Sequence, residues 1–254
     1  MKTSTTAGHA EVLPSVDCIF ALTVTNSSQM PLLEYQLLGP SGMMHRTSIL
    51  EQRKPDPDGE TAAIARAHIG AWNASLQRRC HNTLVLEDDA FFEDKAAMRA
   101  LPRVESFLKS GTPYDLMLLG WGGEPSVETT AHRCVYGIKG WSDLHAYVIS
   151  SEAAQRLHTL EWPALQEQQR LDGAGGSDGG AIDTALVRSH DRARFYAIRP
   201  RVAFQRHRST ARLARALQHR EEHASAAAWK DADPTAAESR VYTSLDQLAA
   251  EPGC

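Results

Sequence analysis

The stretch from Thr83 to Phe92, Thr-Leu-Val-Leu-Glu-Asp-Asp-Ala-Phe-Phe, constrains this chain more than any other. Three apolar residues running into three successive acids predict a buried strand that delivers carboxylates to the rim of a sheet. In open α/β sheets that rim is where ligands bind. Side by side, Glu87, Asp88 and Asp89 repel one another, so a strand end built from them calls for a cation to hold them together. Oxygen ligands alone favour magnesium, manganese or calcium over zinc. An acidic turn that merely keeps a strand end in water is the plainer alternative. The apolar run in front of the acids favours the metal.

The remaining segments build a sheet around that strand. Asp17 to Val24 is a nearly continuous apolar run, which predicts a strand covered on both faces. It ends in Thr25-Asn26-Ser27-Ser28, a small polar loop able to approach a ligand closely. Pro31 to Leu38 reads as a helix with proline in its first turn, and His45 to Leu50 as a second strand, giving a strand-helix-strand start. After a loop at 54–59, Ala65, Ile69, Trp72 and Leu76 recur at helical spacing on one face. His68 falls beside that stripe, where a core or surface histidine is the plain reading. Lys95 to Lys109 predicts a helix interrupted or restarted at Pro102.

Tyr114 to Gly120 is another buried strand, followed by a flexible turn at Trp121-Gly122-Gly123. His145 to Ser150 is a further strand, with Ser150 or Ser151 capping a helix through Leu160. Asp172 to Gly180 is rich in glycine but lacks the Walker lysine and the dinucleotide spacing, so it predicts a mobile loop and not a phosphate cradle. Ala181 to Val187 opens a helix with Asp183 near its start, where an acid that suits the helix dipole needs no further role. Phe195 to Gln205 is extended. Past Ser209 the pattern turns helical and Ala-rich, and from Gln218 it becomes polar. These boundaries divide the chain into a flexible segment at 1–16, a main α/β domain at 17–217 and a helical or loosely held tail at 218–254.

Composition narrows the function classes. The 254 residues are 42% hydrophobic and 23% charged, an ordinary globular balance with chain enough for a substantial core. A net charge of -4 and no long Lys/Arg run argue against nucleic acid as a partner. Arginine is nevertheless dense between Arg188 and Arg220, where it can meet a smaller anion. The polar start lacks the apolar core of a secretory signal, and no stretch is long and apolar enough to span a bilayer. A cytoplasmic location follows as the expectation. Cys18, Cys80, Cys134 and Cys254 show no metal-ligand spacing, which predicts buried or idle thiols in a reducing compartment.

Taken in order, the first strand ending near Asn26, the His68 helix, Leu84 to Asp89, Tyr114-Asp115-Leu116 with Leu119-Gly120, His145 to Ser150, Asp183 to Leu186 and Arg199-Pro200 through Ser209 resemble glycosyltransferase family 25. That family holds the lipopolysaccharide and procollagen galactosyltransferases. The likeness spans Asp17 to Ser209, and its order and spacing are more specific than any one motif. Ala63-Ile64 and Ala67 depart from it, since members often carry a Gly-Cys pair and a serine before the helix histidine. The resemblance implies an α/β fold of GT-A type, a Rossmann-like sandwich with a mixed, mostly parallel central sheet. It also implies a manganese or magnesium ion at an acidic motif and a UDP-sugar as donor. The implied reaction is an inverting transfer of galactose or another hexose to a hydroxyl on a carbohydrate or other hydroxylated acceptor.

Under that resemblance, Asp89 binds the metal, joined by His207 as a late histidine. Thr25, Asn26, His68, Glu87 and Asp88 line the nucleotide-sugar, and Asp183 is the general base. The chemistry agrees, because a departing diphosphate needs a divalent cation as Lewis acid and an alcohol needs a base to become a nucleophile. A metal-dependent nucleotidyl or phosphoryl transferase can use the same acidic strand end, and a catalytically silent carbohydrate-binding protein can keep the same fold.

Overall fold

A computed structural model describes residues 13–24, 33, 43, 46–52, 59–92, 94–122, 125–161, 182–188, 193–199 and 201–205. The helix expected at 31–38, the Gly-rich loop and the tail lie outside these residues, apart from Leu33. Strand β1 (Cys18–Val24) alternates its side chains between two layers: Ile19 and Ala21 face one, Phe20 and Leu22 the other. That is why the segment is almost entirely apolar. Strands β2 (Thr47–Gln52) and β3 (Asn82–Glu87) flank it in parallel, and helix α1 (Gly59–Gln77) links them. Leu13 and Val16 are buried in the core, ahead of the boundary expected at Asp17.

After the acids come β4 (Ala90–Phe92) and helix α2 (Asp94–Lys109). The predicted break at Pro102 does not occur. Ala100, Leu101, Val104 and Phe107 are buried on both sides of the proline, and their packing outweighs a lost backbone bond of about 3 kcal/mol. Strand β5 (Leu116–Gly122) includes the Trp121-Gly122 pair expected to turn, because Gly122 pairs with Ser142. Then follow β6 (Ser126–Thr129), β7 (Val135–Lys139) and β8 (Ser142–Ser150). The Ser150 hydroxyl accepts the Ala153 amide and caps α3 (Ser151–Arg156), as expected. A wider π turn at Leu157–Glu161 replaces its last turn. Helix α4 (Ile182–Arg188) precedes β9 (Phe195–Ile198) and β10 (Ala203–Gln205), so the extended 195–205 segment is two strands in two different sheets.

The main sheet runs β2-β1-β3-β8-β5-β9-β7-β6, and β4 pairs with β10 apart from it. Strands β7 and β8 run against the other six. The expected mixed α/β class is the one observed. One face of the sheet packs on α2 and the small β4/β10 sheet, the other on α1, α3 and α4. No helix among the described residues is long and apolar enough to cross a membrane.

The cysteines correct the sequence reading. Cys18 and Cys80 form a disulfide, Cys134 is disulfide-bonded as well, and no cysteine among the described residues is free. The start of β1 and the turn after α1 meet with Cα atoms 6.0 Å apart, inside disulfide reach. Their separation of 62 residues gave no motif to find.

Candidate functional site

Because β1, β3 and β5 run the same way, Val24, Glu87 and Gly122 all end at one rim. Strand β8 runs the other way, so its first residues, Ser142 to Leu144, come to that rim as well. The Asp143 backbone N–H donates to Asp183 Oδ2 at 3.1 Å, which ties the first turn of α4 to the same place. Asp143 adopts a left-handed φ of 58°, a conformation that aspartate tolerates better than most residues. Acids from β3, β8 and α4 therefore gather within electrostatic range of Glu87.

The β3 acids are held individually. Asp88 N–H donates to the Leu22 carbonyl at 2.9 Å, and Thr23 Oγ1 donates to Asp88 Oδ2 at 2.6 Å. Asp89 is buried and hydrogen-bonds the Glu87 carboxyl. Burial, then the charges of Asp88, Asp143 and Asp183, push Glu87 up to about 8 despite that hydrogen bond. Five carboxylates thus crowd one rim.

His68 is not on the rim. Its ring is wholly buried, with Nδ1 2.9 Å from Tyr147 Oη and Nε2 3.0 Å from Glu87 Oε1. Burial pulls it down to about 3, so the ring is neutral. With both nitrogens engaged inside the protein, His68 meets any ligand only through Glu87. The residues flanking it on the inner face of α1 are Ala65, Ala71, Trp72 and Ser75, and Ile69 and Leu76 are only partly buried. The stripe read from the sequence was rotated by about one position.

Among the described residues of the arginine-dense stretch, Arg194 and Arg201 lie at opposite ends of the sheet. Arg194, with Arg156, meets Asp115 at the start of β5, far from the acids. Burial alone would raise the Asp115 carboxyl, but the Arg194 amide and guanidinium and Arg156 outweigh it and hold it below the usual range. Arg201 lies at the carboxyl end of β5, where it donates to the Trp121 carbonyl and covers the Trp121 ring 5.6 Å from its centroid. Its charge acts on His145 of β8.

Among the described residues, no three His, Cys, Asp or Glu side chains converge tightly enough to enclose a metal ion. The donors are all oxygen, which suits a hard cation that keeps waters or substrate oxygens on its open positions. Thr25, Asn26 and His207 lie outside the described residues. Asp143 is the rim acid that sequence reading missed. Its place follows from the antiparallel pairing of β8 with β3, which no local motif announces.

No family model matches the chain, and no curated protein does. Several solved structures resemble it distantly. A197 from STIV is 15% identical over 75% of this chain and 85% of its own, with a TM-score of 0.46. A mannose-1-phosphate geranyltransferase from Thermus thermophilus is 11% identical over 71% and 73%, with a TM-score of 0.44. A glycosyltransferase involved in glycosylation of the major capsid of PBCV-1 is 14% identical over 72% and 94%, with a TM-score of 0.36. Likenesses this distant carry no weight on this chain's chemistry.

Proposed function

We propose that this chain is a nucleotide-sugar transferase, and within that class a glycosyltransferase that moves galactose or another hexose from a UDP-sugar to a hydroxylated acceptor. The observation that carries this reading is the gathering of Glu87, Asp88, Asp89, Asp143 and Asp183 at the carboxyl end of the parallel strands. Crowded carboxylates at that place suit a divalent ion and the phosphates it holds. When bound, manganese or magnesium supplies Lewis-acid stabilisation of the charge on the leaving diphosphate.

Asp89 is the assigned cation ligand in this reading, with His207 as a second. Thr25, Asn26, Glu87 and Asp88 line the donor, and His68 contributes through Glu87. Asp183 takes the proton from the acceptor hydroxyl as the sugar transfers.

Nucleotidyl transfer uses the same acids and differs in its product. UDP-sugars supplied with manganese and a panel of hydroxylated acceptors should release UDP. Diphosphate formed from UTP and a sugar phosphate, with no UDP release, would replace glycosyl transfer by nucleotidyl transfer. UDP binding without turnover of either kind would reduce the protein to a binding module. A thermal-shift screen of nucleotide-sugars, with and without manganese, selects the donor, because a ligand present at a hundred times its Kd adds about 2.7 kcal/mol of apparent stability.

A further inference from the structure

Behind the acidic rim, ending on Glu87, lies a buried chain of polar groups. His68 and Trp72 stand four residues apart on the inner face of α1. Tyr147 faces them from β8, and Glu87 ends the neighbouring strand β3. Trp72 Nε1 is 2.9 Å from Tyr147 Oη, Tyr147 Oη is 2.9 Å from His68 Nδ1, and His68 Nε2 is 3.0 Å from Glu87 Oε1. Trp72, Tyr147 and His68 are fully buried, and the rings of His68 and Tyr147 stack with centroids 5.7 Å apart.

The direction of each bond follows from one fixed end. An indole N–H can only donate, so Tyr147 Oη accepts from Trp72. The phenol keeps its own proton and, fully buried, must place it on an acceptor or lose about 1–3 kcal/mol. Of the groups that bond Tyr147 Oη, only His68 Nδ1 can accept. Nδ1 is then the unprotonated nitrogen of the neutral ring, and the proton sits on Nε2, where it is donated to Glu87 Oε1. The opposite tautomer would aim two N–H groups at one phenol oxygen and leave the phenol proton stranded.

We propose that Trp72, Tyr147 and His68 form a positioning chain that locks His68 as the Nε2–H tautomer and fixes the orientation of the Glu87 carboxyl, and through it Asp89, at the ligand-binding rim. A carboxyl that accepts a fixed N–H on Oε1 cannot swing away from Asp89, so the chain sets the geometry of the acids before any ligand arrives. Its functional meaning rests on the nucleotide-sugar reading. The tautomer does not, because it belongs to the free protein.

The test is the 15N spectrum of histidine-labelled full-length protein, with His68 assigned by its loss in His68→Gln. Protonated Nε2 and an unprotonated, hydrogen-bonded Nδ1 are expected. A protonated Nδ1 in the unaltered protein overturns the proposal at once. In Tyr147→Phe the Nδ1 resonance should move as its hydrogen bond disappears, and manganese-dependent UDP affinity should fall about tenfold, the scale of losses beyond the direct ligands. A displaced resonance with unchanged affinity overturns the positioning role. If Tyr147→Phe fails to fold, Trp72→Phe replaces it: the phenol still has only Nδ1 to accept its proton, so the Nε2–H tautomer should persist while the Nδ1 resonance shifts and manganese-dependent UDP affinity falls. A protonated Nδ1, or unchanged affinity, in that variant contradicts the chain. Unaltered protein that binds no UDP would remove the nucleotide reading and leave the spectrum to decide the chain.

Discussion

Asp183 lies in the first turn of α4, where the helix dipole favours an acid, and it already accepts the Asp143 amide. A structural clamp and a general base therefore predict the same position and differ only in what a substitution does. Asp183→Asn keeps the shape and an acceptor oxygen for the amide. As the base, it should lower turnover about a hundredfold or more with donor affinity nearly unchanged. Ordinary turnover alongside a small loss of stability would leave only the clamp. A second residue gives a pH signature. Burial pulls His145 down to about 4, against the Ala203 carbonyl facing its ring and with the Arg201 charge adding to the effect. Neither of its ring nitrogens reaches hydrogen-bonding geometry with a partner. A histidine depressed in the fold binds fewer protons there than in the unfolded chain, so its contribution is full above pH 6.5 and is lost as the pH falls toward 4. The loss should be on the order of 3 kcal/mol. Urea melts of His145→Gln should show a flatter acid limb than those of the parent, and parallel limbs would contradict the assignment. Glu87, Asp88, Asp89 and Asp183 were legible because an acid after an apolar run, or at a helix start, is a local signal. Asp143 was not, since it reaches the rim only through the pairing of distant strands. The partners of His68 were equally hidden, because periodicity can place a helix face but not what the face meets.

At the scale of elements, β5 and β8 slip register between Leu118 and Gly122, and Gly120 sets how closely β10 and the His145 ring approach β5. A Cβ on Gly120 would collide with His145 Nε2 and with the Ala203 carbonyl oxygen, one of them backbone that cannot turn aside. Gly120→Ala should therefore push β10 from β5 and destabilise the fold by about 1–3 kcal/mol, the usual result of overpacking. A denaturation midpoint equal to the parent's would show that the strands have room to give. The strands β1, β3, β5 and β8 were readable because the middle of each is buried on both faces and hence mostly apolar. Strand β6 is exposed along its whole length and carries no alternation, while β4 and β10 are three residues each, too short for a period to register. Helix α2 ran past Pro102 because burial on the sheet overrode local propensity, a tertiary effect that no window of sequence contains.

At the scale of the molecule, the sheet separates two apolar layers and puts its acids at one end, with Asp115 and its arginines at the other. The Cys18–Cys80 disulfide ties the start of β1 to the turn after α1, the helix that carries His68. Closing a chain separation of 62 residues should contribute about 4 kcal/mol by restricting the unfolded chain. Cys18→Ala/Cys80→Ala should melt roughly 10 °C lower than the parent, and an unchanged melting temperature would contradict a closed disulfide in the folded protein. The fold class was legible because strand and helix patterns alternate along the chain, whereas the disulfide was not, because contacts between distant residues leave no mark on spacing. The central claim is that the acidic end of β3 holds a cation and, through it, a nucleoside diphosphate. Calorimetric titration of UDP into the parent and into Asp89→Asn, each with manganese and with chelator, tests it most directly. The account predicts binding by the parent only when manganese is present, and none by Asp89→Asn although it melts as a folded protein. Equal UDP affinity in both proteins, or binding by the parent that ignores the chelator, would contradict it.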